Sequence, residues 1–513
     1  MAVNSSRRDQ RRQLRARSFL FALCLAIPLC AARASIAQPA AAKVQTLFVS
    51  DVHFDPFWDP GKAARLAARP EREWRSILEA APSPDREQRF AALQQSCHMR
   101  GTDTSYPLLA SALAQMRAHA AEARFVTVSG DLMAHQFDCK YKALFPQASP
   151  EDYRTFVEKT IAFVIAELDG VAPNARVYVA LGNNDSDCGD YQLDDGGPFL
   201  ADIAPRVLRS VPERQHAEAM ESFKQGGYYS VMLPAPVEHT RLLVLNDVFL
   251  SPWHANCAGK PDAAAGDAEL AWLAQQLDKA RAAKEHVWVM GHIPPGVDAY
   301  STLSHGVKCP ANPPVMFLAT DKLAQELTGA GDEIRLGIFA HAHTDEIKLL
   351  EPEAQIASGA ASDAGTGGRG KAAAAAVAVK MVSSISPING NNPSFTIAEV
   401  NPATAELADY RVFAASNQTG TGEWAELYDF DRVYGEKSFS TEAVRRVLGE
   451  FAADRAAKSA ASQNYVHDFL TGRPDILLPL VWPQYVCTLS HATASGYADC
   501  ACPAAQKSPA APQ

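Results

Sequence analysis

The stretch ARVYVALGNNDSD, residues 175–187, is the most informative short segment of the chain. Its first part, ARVYVAL, is mostly apolar, with the β-branched and aromatic side chains that are typical of a buried strand. The segment then changes abruptly to a glycine, two asparagines and two acidic residues. Oxygen-bearing side chains directly after a buried strand indicate a polar site at the end of a sheet.

The same arrangement recurs along the first 350 residues. Helical patterns occur at 105–123, 153–168 and 267–285, the last beginning with an aspartate that is expected to cap it. Alternation of strands and helices predicts an α/β protein with a layered β-sandwich core flanked by helices. The strand-like runs lie at 44–50, 123–129, 175–181, 240–246, 285–291 and 334–340.

Five of these runs end on side chains that can bind metal ions. Glycine precedes three of the motifs and lets the backbone turn sharply toward an ion. Histidine, carboxylate and amide oxygen together suit zinc, manganese or iron. Because ligands gather at the carboxyl ends of strands in α/β sheets, the motifs predict one common metal site. The candidate ligands are Asp51, His53, Asp131, Asn183, His292, His341 and His343.

The order D-x-H, G-D, G-N, G-H, x-H-x-H resembles that of the calcineurin-like metallophosphoesterases, from residue 44 to about residue 350. Within that superfamily the chain is most similar to the acid sphingomyelinase-like phosphodiesterases and the related endopolyphosphatases. The segments GDLMAH (130–135) and GHIPPG (291–296) and a helical C-terminal region with cysteines carry this closer resemblance. Residues 132–135 contain no tyrosine, which disfavours the tyrosine ligand of the purple acid phosphatases.

The resemblance implies the metallophosphoesterase fold and a centre of two divalent metal ions, with zinc favoured and manganese or iron as alternatives. Asp131 would bridge the two ions. The implied reaction is hydrolysis of a phosphoric ester by direct attack of metal-bound hydroxide. The implied ligand sets, beside Asp131, are Asp51, His53 and His343 for one ion and Asn183, His292 and His341 for the other.

Three further residues are candidates for catalysis. His135 lies where the sphingomyelinase-like group has a histidine, and imidazole can act as a general acid near working pH; the alternative is a polar loop histidine. Asn184 stands where most of the superfamily has histidine, and it can bind a phosphate oxygen but not usefully donate a proton. Endopolyphosphatase-like sequences share this asparagine. Asp185 could orient the acid, hold a water of an ion, or only cap a turn.

The sequence defines the substrate less well. Phe54 and Trp58 follow the first ligand motif and could form an apolar wall for a lipid tail or a nucleobase, or pack as an ordinary insert. Asn389 lies in a segment, 384–395, that resembles a loop near the active site of the sphingomyelinase group. Candidates for a choline cage are Trp253 and Tyr300, and basic candidates for polyphosphate binding are Lys308, Arg369 and Lys371.

The N-terminus predicts export. A basic segment, a short apolar run at 19–30 and small residues up to Ala37 are typical of a cleaved signal. The Sec route is favoured, although the Arg11-Arg12 pair leaves a twin-arginine route open. No later stretch is apolar over the length of a membrane span. We therefore expect a secreted or periplasmic protein.

The cysteines agree with export, and the net charge bears on the partner. Two of ten cysteines lie in the predicted signal, and the remaining even number predicts disulfides, with free buried thiols as the alternative. The expected pairs are Cys257 with Cys309, and Cys487 with Cys500 or Cys502. The net charge of −10 argues against a nucleic-acid partner. The expected partner is a small-molecule or lipid phosphoester, with transient contact at a membrane surface allowed.

The predicted organisation is a signal peptide (1–37), a catalytic domain (44–415) with a flexible low-complexity loop (358–376), a smaller helical, cysteine-bearing C-terminal subdomain (422–503) and a disordered tail (504–513). The predicted function is an exported, dinuclear metal-dependent phosphodiesterase for a sphingomyelinase-like lipid or nucleotide diester. Alternatives are an endopolyphosphatase or phosphomonoesterase and, from another class, a non-catalytic metal- or lipid-binding protein.

Overall fold

The computed structural model describes residues 42–237, 239–304, 313–352 and 375–502. The predicted signal peptide, most of the predicted low-complexity loop and the predicted tail lie outside these residues. Two six-stranded β-sheets lie at the centre of the described part. The strands β1 to β12 span Val44–Val49, Phe125–Ser129, Arg176–Ala180, Tyr229–Met232, Thr240–Val244, His286–Met290, Ile334–Phe339, Glu346–Leu350, Val377–Met381, Ser394–Val400, Leu407–Ala415 and Trp424–Asp429.

Helices connect most of the strands. None of the described helices is both long and apolar enough to cross a membrane. In the described residues, helices α1 to α16 span Ala63–Ala68, Trp74–Glu79, Arg86–Ser96, Tyr106–His119, Phe137–Leu144, Pro150–Asp169, Pro198–Val207, Glu213–Gly226, Ala263–Ala283, Ala299–Leu303, Lys322–Gly329, Phe430–Tyr434, Thr441–Ala453, Ala460–Asp468, Trp482–Ser490 and Ala494–Ala501. Short 3₁₀ helices occur at Glu71–Glu73, Leu208–Ser210, Asp247–Leu250 and Leu478–Leu480.

The first sheet has the order β12-β11-β10-β1-β2-β3. Strands β1, β2 and β3 are parallel, with Leu47 opposite Val126 and Val126 opposite Val177. Strands β10, β11 and β12 continue the sheet in antiparallel pairing. Because β1, β2 and β3 run in one direction, the polar motifs that follow them lie at the same edge.

The second sheet has the order β4-β5-β6-β7-β9-β8. Its central strands β5, β6, β7 and β9 are parallel, and β4 and β8 close the two edges in antiparallel pairing. The remaining ligand motifs follow β6 and β7. Each sheet therefore carries part of the candidate metal site at the carboxyl ends of its parallel strands.

Apolar side chains join the two sheets face to face. The ring of Trp288 on β6 lies 6.1 Å from that of Phe48 on β1 and 5.7 Å from that of Phe125 on β2. All three side chains are fully buried. Burying aromatic rings of this size between the sheets contributes a large share of the apolar driving force. The predicted α/β class with a layered sandwich and flanking helices is therefore confirmed.

The C-terminal region begins differently from the prediction of helices after residue 422. Its first element is β12, an edge strand of the first sheet, and helices follow from Phe430 onward. In α13 the side chain of Ser440 accepts a hydrogen bond from the Ala443 N–H, as the sequence predicts. Helix α9 begins at Ala263, four residues before the predicted aspartate, because Asp262 caps it by accepting from the Ala264 N–H.

Three disulfides lie within the described residues: Cys97–Cys139, Cys188–Cys257 and Cys487–Cys500. The predicted bond of Cys487 to one of the terminal cysteines is confirmed. The predicted pairing of Cys257 with Cys309 is wrong, because Cys257 bonds to Cys188. Backbone hydrogen bonds between Leu193 and Ala255 and between Ala255 and Tyr191 hold the two loops together.

Candidate metal centre

Five of the seven predicted ligands have a left-handed backbone conformation. A left-handed φ turns the chain sharply, and asparagine, aspartate and histidine adopt it more readily than other non-glycine residues. Gly182 is required next to them, since a Cβ there would collide with the Asp131 carboxylate. The φ angles are 45° at Asp51, 42° at His53, 53° at Asp131, 71° at His341 and 65° at His343.

Backbone hydrogen bonds fix these turns to one another. The Asp51 N–H donates to the Gly130 carbonyl at 3.1 Å, and the His53 N–H donates to the Asp131 carbonyl at 2.9 Å. In the second sheet the Ala340 N–H donates to the His292 carbonyl at 2.9 Å. The ligand turns are therefore positioned by the fold itself.

Four ligand atoms form a first group around Asp51, His53, Asp131 and His343. His53 Nε2 lies 3.2 Å from His343 Nε2 and 3.3 Å from Asp131 Oδ2. His343 Nε2 also lies 3.3 Å from Asp51 Oδ1. Nitrogen and oxygen lone pairs at these separations can share one cation.

A second group adjoins the first through Asp131. His292 Nε2 lies 3.3 Å from Asp131 Oδ2, 3.1 Å from Asn183 Oδ1 and 3.2 Å from His341 Nδ1. Asp131 Oδ2 is therefore equally close to a histidine of each group. The structure brings all seven predicted ligands together, in the two sets that the resemblance implies.

The chemistry of these donors fits bound cations. The Asp51 carboxylate is fully buried, and neither oxygen has a hydrogen-bond partner among the described residues. Such a group is costly to bury unless a cation compensates its charge. The Nδ1 atoms of His53 and His292 lie 2.8 Å from the Met133 carbonyl and 2.7 Å from the Ser129 carbonyl. Donation from Nδ1 leaves each Nε2 lone pair for a metal ion.

The electrostatics point the same way. Burial opposes protonation of His53, but Asp131 and Asp51 outweigh it and raise its pKa to about 9. Burial is likewise outweighed at His292, where Asp131 raises the pKa to about 10. Burial lowers the pKa of His341 to about 4 and that of His343 to about 3. The carboxylates thus create a field that retains positive charge at this centre.

Several supporting residues were missed by the sequence analysis. Asn183 Nδ2 donates to Asp190 Oδ1 at 2.7 Å, which turns Asn183 Oδ1 toward His292. The Tyr191 hydroxyl lies 3.2 Å from His341 Nε2, so that Nδ1 faces the second group. Asp247 accepts from the backbone N–H groups of His292 and Ile293, both at 2.9 Å. Such partners orient ligands, and no local sequence pattern marks them.

His135 lies beside the first group and is paired with a carboxylate. Its ring stacks on His53 with centroids 4.0 Å apart, and its side chain is 31% exposed. His135 Nδ1 lies 2.9 Å from Asp103 Oδ1, and its backbone N–H donates to Asp103 Oδ2. Asp103 also lies 3.6 Å from the buried ammonium of Lys140. Although burial opposes it, these positive partners hold the Asp103 pKa well below its usual range.

Asn184 and Asp185 contact the ligand turns. The Asn184 backbone N–H donates to Asp131 Oδ1 at 2.8 Å, and its Nδ2 donates to Asp131 Oδ2 at 2.9 Å. Asp185 accepts three backbone N–H bonds, from Leu132, Met133 and Gly182. Burial and Asp131 raise the pKa of Asp185 to about 7. Asp185 therefore ties together the loops after β2 and β3.

The predicted apolar wall is corrected by the structure. Phe54 is fully buried with its ring 5.2 Å from that of Phe163, so it offers no surface to a substrate. Trp58 is covered by the Arg86 guanidinium, 4.0 Å above its ring. Asn389 is exposed, in the loop that begins where the Ser386 N–H donates to the Asp51 carbonyl.

The remaining substrate candidates are less connected to the centre. Trp253 is exposed on a loop after β5 and Tyr300 is exposed on the short helix α10 after β6, and no described contact joins either of them to the ligands. Lys308, Arg369 and Lys371 lie outside the described residues.

Comparisons with known proteins agree with the predicted resemblance. No family model matches the chain. The chain is 24% identical over 311 residues to sphingomyelinase phosphodiesterase C of Dictyostelium discoideum, a match that covers 61% of this chain and 62% of that relative. It is 24% identical over 404 residues to acid sphingomyelinase-like phosphodiesterase 3b of Homo sapiens, a match that covers 78% of this chain and 80% of that relative.

A third relative is cyclic GMP-AMP phosphodiesterase SMPDL3A of Homo sapiens, 22% identical over 408 residues, with 78% of this chain and 80% of the relative covered. A solved structure of a dimetal phosphatase from Danio rerio aligns with a TM-score of 0.38 at 12% identity, covering 75% of this chain and 98% of that one. The chain is thus similar to the acid sphingomyelinase-like phosphodiesterases, as its motifs predict. The relatives' names agree with the predicted class, a metal-dependent phosphoric ester hydrolase of the phosphodiesterase type.

Proposed function

We propose that this chain is an exported, dinuclear metal-dependent phosphodiesterase. The observation that carries the proposal is the position of Asp131 Oδ2, 3.3 Å from the Nε2 atoms of both His53 and His292. One carboxylate oxygen between two sets of histidines is an arrangement suited to bridging a pair of cations. The similarity to named phosphodiesterases supports the choice of reaction.

Two divalent cations, when bound here, would supply Lewis-acid chemistry by polarising a phosphoryl oxygen and activating water. The chain's own residues hold and orient the reacting groups. Asp51, His53 and His343 complete one set with Asp131, and Asn183, His292 and His341 complete the other. The mixture of neutral and anionic donors keeps the centre electropositive, which favours binding of a phosphate ester.

His135 is proposed as the general acid. Its Nδ1 is engaged by Asp103, so its Nε2 is the atom that can give a proton to the leaving oxygen. Asp103 holds the ring orientation and stabilises the protonated imidazole, as a buried carboxylate does next to a catalytic histidine. Ser386 donates to the same Asp103 oxygen at 3.0 Å and helps to fix it.

Asn184 is proposed to act on the bridging carboxylate rather than as a proton donor. Its two N–H bonds to Asp131 set the direction in which that carboxylate presents its oxygens. Asp185 holds the loops that carry Asp131 and Asn184 together, because it accepts three backbone N–H bonds from them. Because both bonds from Asn184 hold the proposed bridging residue in place, the asparagine is compatible with an active centre.

The substrate class proposed is a lipid or nucleotide diester. The printed names of the relatives include sphingomyelinase-like and cyclic GMP-AMP phosphodiesterases. Export is supported by the three disulfides of the described residues, since such bonds persist in oxidising compartments.

The test is hydrolysis of bis-p-nitrophenyl phosphate beside p-nitrophenyl phosphate by the purified protein, with metal content determined by elemental analysis. Two equivalents of metal with faster diester cleavage are expected, and a chelator should abolish it. Faster monoester cleavage would favour a phosphomonoesterase. Two bound metals without turnover of either ester would overturn the proposal in favour of a non-catalytic binding protein.

A further inference from the structure

A cavity of about 200 Å³ lies next to the metal centre. Gln136 and Asp138 line one side, directly after His135. Asn184, Asp190 and Gln192 line the other side, on the loop that carries the ligand Asn183. Tyr153 of α6 contributes a further wall. The cavity is therefore bounded by the loop that carries Asn183 and by the start of α5, directly after the proposed general acid.

Two largely buried side chains line this cavity with polar atoms that have no hydrogen-bond partner in the described part of the chain. Tyr153 is 7% exposed, and its hydroxyl makes no hydrogen bond with any described residue. Asn184 is also 7% exposed; its Nδ2 is used by Asp131, whereas its Oδ1 has no partner among the described residues. Neither atom belongs to the fully enclosed polar atoms that lack a hydrogen bond, so both are reached from the cavity. The hydroxyl can donate or accept and the amide oxygen can accept, so both are available to a group bound in the cavity.

The remaining groups define the charge of that ligand. Gln136 and Gln192 offer neutral amides, and Asp138 and Asp190 offer carboxylates, of which Asp138 is shared with Lys142 at 3.2 Å. No lysine or arginine is among the residues that line the cavity. A second phosphate would be repelled here, whereas hydroxyl and ammonium groups would find acceptors.

We infer that this cavity binds one alcohol substituent of the phosphodiester, and that this substituent carries hydroxyl or ammonium hydrogen-bond donors. The inference rests on the proposed function, because the phosphate of the same molecule would lie at the metal centre. Asn184 joins the two places: its Nδ2 binds the bridging carboxylate, and its Oδ1 accepts from the substituent. Asparagine at 184 thus exchanges a proton donor for an acceptor that selects polar substrates.

The test uses three p-nitrophenyl phosphodiesters whose second ester group is glycerol, ethanolamine or ethanol. Wild-type kcat/KM should be about tenfold higher for glycerol or ethanolamine than for ethanol, as expected for a few net hydrogen bonds. A preference for glycerol would identify hydroxyl recognition, and a preference for ethanolamine would identify ammonium recognition. Equal values for all three would overturn the inference and leave the proposed function standing.

Tyr153→Phe removes only the hydroxyl group and provides the matched variant. The ratio of kcat/KM for the preferred polar substrate to that for the ethyl substrate should fall about fivefold. Tyr141→Phe is the control, since Tyr141 is buried with its ring 5.1 Å from that of Tyr153 but does not line this cavity. An equal fall in both variants, or no change in Tyr153→Phe, would contradict the inference.

Failure of the proposed function would be visible separately as no turnover of any diester by the metal-loaded protein. The cavity would then be tested by calorimetric titration with glycerol phosphate, ethanolamine phosphate and ethyl phosphate. Binding of a polar ester about tenfold tighter than ethyl phosphate, reduced by Tyr153→Phe, would support the inference. Equal affinities for the three monoesters would refute it.

Discussion

The two sheets contribute different chemistry to the metal centre. The first sheet supplies every predicted oxygen ligand, Asp51, Asp131 and Asn183, together with His53. The second sheet supplies the other three histidines. Neither sheet alone contains a complete predicted set for one cation, so the candidate centre depends on the packing of the two sheets, in which Trp288 contacts Phe48 and Phe125.

The two ligand sets also differ in how they depend on the second sheet. The first set takes one residue from it, His343, whereas the second set takes two, His292 and His341. The second set also uses more supporting contacts, from Asp190, Tyr191 and Asp247. Substitutions of these supporting residues should therefore weaken the binding of one cation selectively. Substitution of the shared carboxylate, Asp131, should weaken the binding of both.

The largest effect is expected from Asp131→Asn. Removing the shared negative charge should release both cations and lower kcat/KM for bis-p-nitrophenyl phosphate about 10³-fold or more, since metal chemistry is worth several kcal/mol. Elemental analysis would measure the loss of bound metal. His343→Ala is the comparison and should release one equivalent. Retention of two equivalents by Asp131→Asn would show that the sets do not share this residue.

A second prediction concerns the acid rather than the cations. Asp103→Asn should leave metal content unchanged and lower kcat about 10²-fold for diesters with alkyl leaving groups, because His135 loses its orienting charge. Activated aryl esters need little protonation and should lose much less. His135→Ala should show the same dependence on the leaving group. Equal losses on both kinds of ester would remove this pair from the acid role.

A third prediction tests the asymmetry between the sets. Tyr191→Phe removes the hydroxyl that positions His341 and should weaken one cation about tenfold, since contacts behind a ligand are worth about 10–100-fold in metal affinity. The other cation should keep its affinity. Stepwise metal titration would resolve the two events. Weakening of both by the same factor would mean that the two sets are not independent.

The smallest effect is expected at Asp409 on β11, two strands away from β1. Burial and Asp429 raise its pKa to about 6, against backbone N–H bonds from Asp431 and Tyr410. The ionised form of Asp409 is therefore disfavoured in the folded state. Asp409 destabilises the folded state above pH 6 but not near pH 4. Asp409→Asn should raise Tm by about 1 °C at pH 7.5.

That gain should disappear near pH 4, and metal content and kcat should stay the same at every pH where the protein is folded. A gain that is independent of pH would assign the effect to packing instead of charge. A change in metal content would mean that the outer edge of the first sheet is coupled to the centre.

The sequence predicted that the candidate ligands lie together because their positions follow from a general constraint. A strand that ends in a turn at the carboxyl edge must place its next side chains near those of neighbouring parallel strands. Asp51, Asp131 and Asn183 could therefore be grouped without knowing the packing of the helices. Asp103 and Tyr191 could not, because they lie in loops whose approach to the centre is set by tertiary contacts.

Phe54 is the reverse case, a residue that the sequence predicted at the site and the structure places in the core. An aromatic residue directly after a ligand motif predicted a wall beside the metals. Its backbone instead donates to the Leu132 carbonyl and pairs with Thr104 and Met133, which draws the ring into the interior. The error on Cys257 has a similar origin, since the contact between its loop and that of Cys188 depends on pairing between Gln192 and Ala255.

The left-handed backbone of the ligand turns limits which sequences this centre can tolerate. Asp51, His53, Asp131, His341 and His343 all have positive φ. Each such position costs about 1–2 kcal/mol for most side chains, and more for β-branched ones. A library randomised at these codons should therefore recover folded protein mainly with glycine, asparagine, aspartate and histidine. The backbone conformation of these turns therefore favours aspartate and histidine, which can bind metal ions, independently of any bound metal or substrate.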